Sequence, residues 1–148
     1  MFNKILLPTD GSKNSKRAGE RAIDLAELTG ADIVVLYVVE TNYIESPRLA
    51  NYRVDLFDEL REEGKKIVED FKANLEDKKC KGTCQNVNLT TEIKEGNPYI
   101  VILETIAKEN IDLTVIGASG RHGLDRFLLG SVTERVVRES KSPVLVVP

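Results

Sequence analysis

The 148-residue chain is predicted to fold as one α/β domain, spanning residues 1–148, around a doubly wound parallel β-sheet. Short apolar runs alternate with longer helix-like segments along the whole chain. Several of these runs are almost free of polar residues, as is typical of strands covered on both faces. Hydrophobic residues make up 41% and charged residues 30%, a balance that argues against disorder.

The first three elements are a strand, a helix and a strand. Residues 4–7 form an apolar run that ends at Pro8, which predicts a short buried strand. Residues 14–29 place small and apolar side chains on one helical face, and Gly30 stands where a helix C-cap glycine is expected. Residues 33–39 are nearly all apolar and β-branched, which predicts a second buried strand.

A long helix over residues 49–78 and a third strand over residues 86–94 are predicted next. The helix has an apolar stripe, and Gly64 should weaken its middle by roughly 1 kcal/mol relative to alanine. The third strand alternates apolar and polar residues, which indicates a position near a sheet edge.

The second half of the chain continues the alternation. Asn97 and Pro98 are typical of an N-cap and a first helical residue, and this helix should extend to about residue 109. A buried strand over residues 113–116, a glycine-rich loop, a helix over residues 131–140 and a last strand over residues 144–147 follow. Right-handed crossovers then predict a five-stranded parallel sheet of order 3-2-1-4-5 with helices on both faces.

A ligand site is expected where the winding direction of such a sheet reverses, between strands one and four. The loops over residues 8–12 and 117–120 meet there. Glycines in these loops allow backbone N–H groups to approach an anion, and the helix that starts at Gly130 and Ser131 adds unpaired amides. We therefore expect a nucleotide across the switch point, with Asp10 near its base or ribose or helping to orient a metal.

Two simpler explanations of the same residues remain open. Gly117 and Gly120 could form only a tight turn, and Ser131 with Glu134 could form a capping box that needs no ligand. The usual P-loop pattern is absent, and so is Gly-x-Gly-x-x-Gly after strand one.

Three motifs in order resemble the universal stress protein family over the whole chain. The spacing Gly117-x-x-Gly120, nine residues, then Gly130-Ser131 is similar to the glycine motif of the ATP-binding members. The opening strand and loop, residues 5–12, and the final segment, residues 142–147, resemble the first and last strands of the family. Ala118 and Ser119 depart from the family pattern, which often has Ser first and then a larger polar residue.

This resemblance implies an adenine nucleotide site, with ATP and Mg²⁺ as its occupants. The base and ribose would lie along the first loop and the backbone of strand two, and the phosphates along the glycine motif and the last helix. The residues implied are Pro8, Thr9, Asp10, Val38, Gly117, Gly120, Gly130, Ser131 and Val132. It also implies a homodimer formed through the last strand, Val144–Val147, and a regulatory role in stress response with an unknown protein partner.

An enzymatic role is less favoured. Asp10, Arg121 and His122 are candidates for catalysis, and Arg121 and Arg126 are better candidates for phosphate pairing, but no nucleophile–base pair is recognisable. We therefore expect no catalytic residues, no protein metal site and little or no ATPase activity. A slow nucleotide hydrolase and a nucleotide-free dimeric interaction module remain as alternatives.

Charge, hydropathy and the cysteines indicate which partners, location and metal chemistry to expect. The net charge is −3 without a dominant basic stripe, so neither nucleic acid nor membrane is expected as a partner. No apolar run approaches the ~20 residues of a membrane span and no signal-peptide layout is present, so we expect a cytoplasmic protein. Cys80 and Cys84 are interpreted as ordinary thiols in a loop, ahead of a disulfide or a metal site.

Overall fold

The computed structural model describes residues 1–41, 53–120 and 128–148, within which helices and strands alternate. The five strands form one sheet of order β3-β2-β1-β4-β5, and every pair of neighbours is parallel. The predicted fold class and strand order are therefore confirmed. The elements are β1 (Lys4–Pro8), α1 (Lys13–Thr29), β2 (Asp32–Glu40), α2 (Arg53–Cys80), β3 (Leu89–Gly96), α3 (Pro98–Lys108), β4 (Leu113–Gly117), α4 (Ser131–Glu139) and β5 (Val144–Val147).

Most element boundaries lie within a few residues of the predictions. Residues 49–52, where the second helix was expected to begin, lie outside the described residues. The strand predicted from residue 86 begins only at Leu89, because a turn precedes it in which Val87 N–H donates to the Cys84 carbonyl at 3.2 Å. β3 is an edge strand, as its alternating pattern predicted.

The core has two layers because the central strands bury alternate side chains on opposite faces of the sheet. Ile5 and Leu7 of β1 pack with α1 and α2, whereas Leu6 packs with α3 and α4. All three side chains are at most 1% exposed. The uninterrupted apolar runs in the sequence follow directly from this two-sided burial.

Gly64 has a packing role that its helix propensity does not reveal. It is buried in α2, and a Cβ atom added there would lie 2.4 Å from Cδ1 of the Tyr37 ring. The aromatic ring of β2 therefore rests directly on the backbone of α2. A glycine inside a helix lowers helix stability, and the packing of the Tyr37 ring against α2 offsets this loss. Tyr37 is 4% exposed.

The two cysteines differ in their surroundings. Cys80 ends α2 and is exposed, so it does not lie in the loop where it was predicted. Cys84 is buried with a left-handed backbone at φ 55°, and burial raises the pKa of its thiol. Both thiols are free, and the described residues contain no cluster of three metal-ligating side chains. Within the same residues no helix is long and apolar enough to cross a membrane.

Replacing Gly64 with alanine tests whether the Tyr37 contact outweighs helix propensity. Gly64→Ala should lower the free energy of unfolding by about 1–2 kcal/mol, because the new methyl group overlaps the ring. In a Tyr37→Ala background, Gly64→Ala should instead leave the free energy of unfolding unchanged or raise it by up to about 1 kcal/mol. Urea unfolding of the four proteins measures both effects, and stabilisation of the wild type by Gly64→Ala would contradict the packing argument.

Candidate functional site

A cavity of about 750 Å³ opens at the carboxyl ends of the strands, at the reversal between β1 and β4. The topology places it where the sequence predicted a ligand. Every residue predicted for the site lies on its wall, and none is left outside. These residues are Pro8, Thr9, Asp10, Val38, Gly117, Gly120, Gly130, Ser131 and Val132.

The end of β2 presents a backbone edge to this cavity. Along a parallel strand, the N–H and C=O of one residue face the same neighbour, and successive residues alternate between neighbours. Thr41 N–H donates to Gly96 on the β3 side, whereas the Leu36 carbonyl accepts from Thr9 N–H on the β1 side. Val38 lies two residues after Leu36, so its N–H and C=O also point toward the β1 side. Because β1 ends at Pro8, opposite Leu36, these two groups have no strand opposite them among the described residues.

The loop after β1 is held by its own side chains. Asp10 Oδ1 accepts from Ser12 N–H at 2.9 Å, and Ser12 in turn caps α1 by accepting from Ser15 N–H at 3.2 Å. The Thr9 hydroxyl lies 3.2 Å from the Ser15 hydroxyl. These bonds are the local turns that Asp and Ser favour before a helix, and they fix Asp10 at the wall of the cavity.

The three motif glycines are required for close approach and not for unusual backbone angles, since none of them has a positive φ. A Cβ atom at Gly117 would lie 2.9 Å from the backbone carbon of Asn14, where α1 crosses the end of β4. A Cβ atom at Gly120 would lie 2.5 Å from Asp10 Oδ2. At Gly117 the contact is with backbone, so glycine is needed there for more than a tight turn, whereas at Gly120 it is with the end of the Asp10 side chain, which can move.

Gly130 brings the start of α4 against the same loop. Its N–H donates to the Ala118 carbonyl at 2.8 Å, and a Cβ atom on it would lie 3.2 Å from the Ser119 Cα. Any larger residue would push α4 away from the loop after β4. The Thr133 hydroxyl also donates to the Gly117 carbonyl at 2.7 Å, which fixes the helix to the end of the strand.

The first turn of α4 supplies backbone donors to the cavity. Its N-cap is Gly130 and not Ser131, so the capping box considered from the sequence is not formed. Glu134 instead forms an ion pair with Arg138. The amides of the first turn have no acceptor within the helix, and they lie at the positive end of its dipole. Because Ser131, Val132 and Thr133 line the cavity, this end suits an anion.

Sequence reasoning missed the apolar walls and one acid of the cavity. The missed apolar side chains come from four different elements, β2, α2, α3 and β4, so their convergence depends on packing that no local pattern encodes. Glu40, at the end of β2, could have been found from its place beyond a predicted strand. The missed residues are Ser15, Leu36, Tyr37, Glu40, Leu60, Pro98, Ile102, Ile116, Ser119 and Thr133.

A second cavity of about 580 Å³ lies beside the first and shares Asp10, Ser119 and Gly120 with it. Its other residues come from the start of α1 and from α2, including Asn14 and Glu63. The Asn14 side-chain amide donates to the Ser119 hydroxyl at 2.6 Å, which ties α1 to the loop after β4. The candidates Arg121, His122 and Arg126 lie outside the described residues.

Known proteins share both the sequence and this architecture. The model of the universal stress protein family matches residues 1–148. Universal stress protein MJ0531 of Methanocaldococcus jannaschii is 36% identical over 148 residues, covering 99% of this chain and 82% of that protein. The solved structure of MJ0577, from the same organism, is 31% identical with a TM-score of 0.84, covering 99% of this chain and 96% of that one.

A second similar structure is a universal stress protein in complex with cAMP. It is 26% identical, has a TM-score of 0.71, and covers 99% of this chain and 97% of that one. The family match extends over the full chain, and the strand order agrees with it. The chain therefore belongs to the universal stress protein family.

Proposed function

We propose that this protein is a nucleotide-dependent regulator that binds an adenine nucleotide, ATP with Mg²⁺, in the cleft between β1 and β4. The observation that carries the proposal is one cleft that offers a backbone edge, apolar walls and a helix N-terminus together. A purine nucleotide has a flat ring with hydrogen-bonding groups at one end and a polyanion at the other. The backbone edge and apolar walls suit the ring, and the helix N-terminus suits the polyanion.

The base fits the β2 side of the cleft. The N–H of Val38 can donate to an adenine ring nitrogen while its C=O accepts from the exocyclic amine. Ile102 and Ile116 lie on the cavity wall and provide apolar surface for the ring faces. Recognition through main-chain groups explains why a valine, with no polar side chain, belongs to the predicted site.

The phosphates fit the α4 side of the cleft. The amides of its first turn are the described donors at the positive end of a helix dipole. The carboxylates lining the cleft, Asp10 and Glu40, would repel a bare polyanion. Mg²⁺ usually keeps several waters and is held largely by substrate phosphates, so it would enter with ATP and lessen this repulsion.

The related structure in complex with cAMP supports an adenine nucleotide as the ligand class. An occluded switch point would favour a nucleotide-free interaction module instead. The described residues form a cavity of about 750 Å³ there, which favours the nucleotide site. The regulatory hypothesis from the sequence is that ATP stiffens the segment between Gly117 and Gly130 for a protein partner, and residues 121–127 of this segment lie outside the described residues.

Gly120→Val tests the placement of the nucleotide. In nucleotide-stripped protein with Mg²⁺, isothermal titration should show saturable ATP binding to the wild type and about tenfold or greater weakening in the variant. The reason is steric, since the new Cβ would lie 2.5 Å from Asp10 Oδ2 and its methyl groups would enter the cleft.

Gly30→Ala is the matched control for this experiment. Gly30 has φ 74° at the far end of α1, so alanine there should cost roughly 1 kcal/mol of stability and leave ATP binding intact. Absence of ATP binding by the folded wild type would contradict the proposal. Equal binding by wild type and Gly120→Val would contradict the placement.

Bound ATP should be hydrolysed slowly or not at all. The acids lining the described part of the cleft are Asp10 and Glu40, and the sequence offers no recognisable nucleophile–base pair. Phosphate release from the wild type should be slower than roughly 1 s⁻¹, the lower end of ordinary enzyme turnover. Faster release that is abolished by Gly120→Val would establish an enzyme and overturn this part of the proposal.

We further propose that the protein forms a homodimer through β5, an edge strand of the sheet. Val147 accepts from Ala118 N–H and Pro143 accepts from Thr114 N–H, so these residues face β4. By strand alternation, the backbone groups of Val144 and Val146 point outward. Leu145 is 39% exposed on this strand, and an unpaired apolar edge favours pairing with a second strand.

Val146→Pro should convert the dimer into a monomer. Proline removes an amide that points away from β4, so the internal ladder of the sheet is preserved while pairing between copies is lost. Val146→Thr keeps both the amide and the β-branched shape, and should remain dimeric. Light scattering after size-exclusion chromatography measures the mass of each protein. A monomeric wild type, or a Val146→Pro protein that stays dimeric, would contradict this interface.

A further inference from the structure

We propose that Ser119 donates its hydroxyl proton to a phosphoryl oxygen of the bound nucleotide, and that Arg17 and Asn14 hold it in the orientation to do so. The proposal rests on the nucleotide site proposed above. It adds a ligand-binding residue, Ser119, and two positioning residues on α1.

The polarity of this chain of hydrogen bonds follows from Arg17. A guanidinium group has donors only, and it contacts the Asn14 side-chain oxygen. The other end of the Asn14 amide is therefore its NH₂ group, which lies 2.6 Å from the Ser119 hydroxyl oxygen. If the Asn14 amide were flipped, its NH₂ group would face the N–H donors of Arg17. The hydrogen-bond network therefore determines the orientation of the Asn14 amide.

The consequence is a defined role for the Ser119 hydroxyl. An amide NH₂ group cannot accept a hydrogen bond, so the Ser119 oxygen must act as the acceptor toward Asn14. Its own proton is then directed elsewhere, and among the described residues no group accepts it. Ser119 lies on the walls of both cavities, so the proton is available to a ligand.

The position of Ser119 selects the phosphate end of the nucleotide. A Cβ atom on Gly130 would lie 3.2 Å from the Ser119 Cα, which places the serine beside the first turn of α4. Ser119 lines the same cavity as the first turn of α4, so phosphoryl oxygens bound at that helix end would lie in the cavity that Ser119 lines. Arg17 is anchored independently, because its Nε–H donates to the Pro148 carbonyl at 2.7 Å, so the guanidinium does not depend on ligand for its position.

The experiment combines three variants with two ligands, ATP with Mg²⁺ and adenosine. Ser119→Ala should weaken ATP binding about 10- to 100-fold, the range for a hydrogen bond to a charged group. Asn14→Asp should weaken it similarly, because a carboxylate makes Ser119 donate toward α1 and not toward the ligand. Arg17 would pair with the new carboxylate, so thermal unfolding should show that the variant stays folded.

The double variant separates reorientation from charge repulsion. If Asn14 acts through Ser119, adding Asn14→Asp to Ser119→Ala should cost much less than Asn14→Asp costs alone. An equal cost in both backgrounds would show that the new charge acts directly, and would overturn the positioning role. Arg17→Glu presents an acceptor to Asn14, which should turn the amide so that Ser119 donates toward α1, and ATP binding should weaken as in Asn14→Asp. Unchanged ATP binding by Arg17→Glu would count against the role of Arg17.

Adenosine identifies the group that Ser119 contacts. It lacks phosphates, so Ser119→Ala should leave its affinity unchanged. An equal loss for adenosine and ATP would place the hydroxyl against the ribose and overturn the phosphate assignment, and unchanged ATP binding by Ser119→Ala would overturn the proposal while leaving the nucleotide site standing. Failure of the wild type to bind either ligand would overturn both.

Discussion

The cleft exists because the sheet reverses its winding between β1 and β4. Crossovers from β1 travel in one direction and those from β4 in the other, so the loops after these two strands diverge and no crossover fills the space between them. β1 also ends earlier than β2, which leaves the Val38 backbone facing the gap. A hydrogen-bonding edge therefore results from strand order and strand length, before any side chain is considered.

Around this gap the chain builds its walls largely from backbone. Gly117 allows α1 to approach the loop after β4 more closely than a Cβ atom would permit, and Gly120 and Gly130 allow close approach of the Asp10 carboxylate and of α4. The side chains in the loop are then used for orientation, as with Asp10 and Ser12 after β1 and with Asn14 and Ser119 across α1. A site of this kind suits the proposed nucleotide through its shape and its backbone donors.

The sequence predicted the fold class, the strand order and nine of the residues that line the cleft, one of which, Val38, followed only from the family resemblance. It could do so because buried parallel strands have uninterrupted apolar patterns and because the switch point follows from connectivity. It did not predict that Gly130 would be the N-cap of α4, since Ser131 and Glu134 satisfy a capping pattern whose use depends on the incoming chain. Nor could it reveal that Gly64 carries the Tyr37 ring, a contact between elements 27 positions apart.

The central claim is that the backbone of Val38 is left unpaired by the sheet and is completed by the base of the nucleotide. Residue-resolved amide hydrogen exchange of Val38, with and without ATP and Mg²⁺, tests this most directly. The neighbouring amides of Tyr37 and Val39 face β3 and should be protected in both states. We expect the Val38 amide to exchange rapidly in the free protein and to become protected when ATP binds. A Val38 amide that is already protected in the free protein, or one that stays unprotected at saturating ATP, would contradict this account.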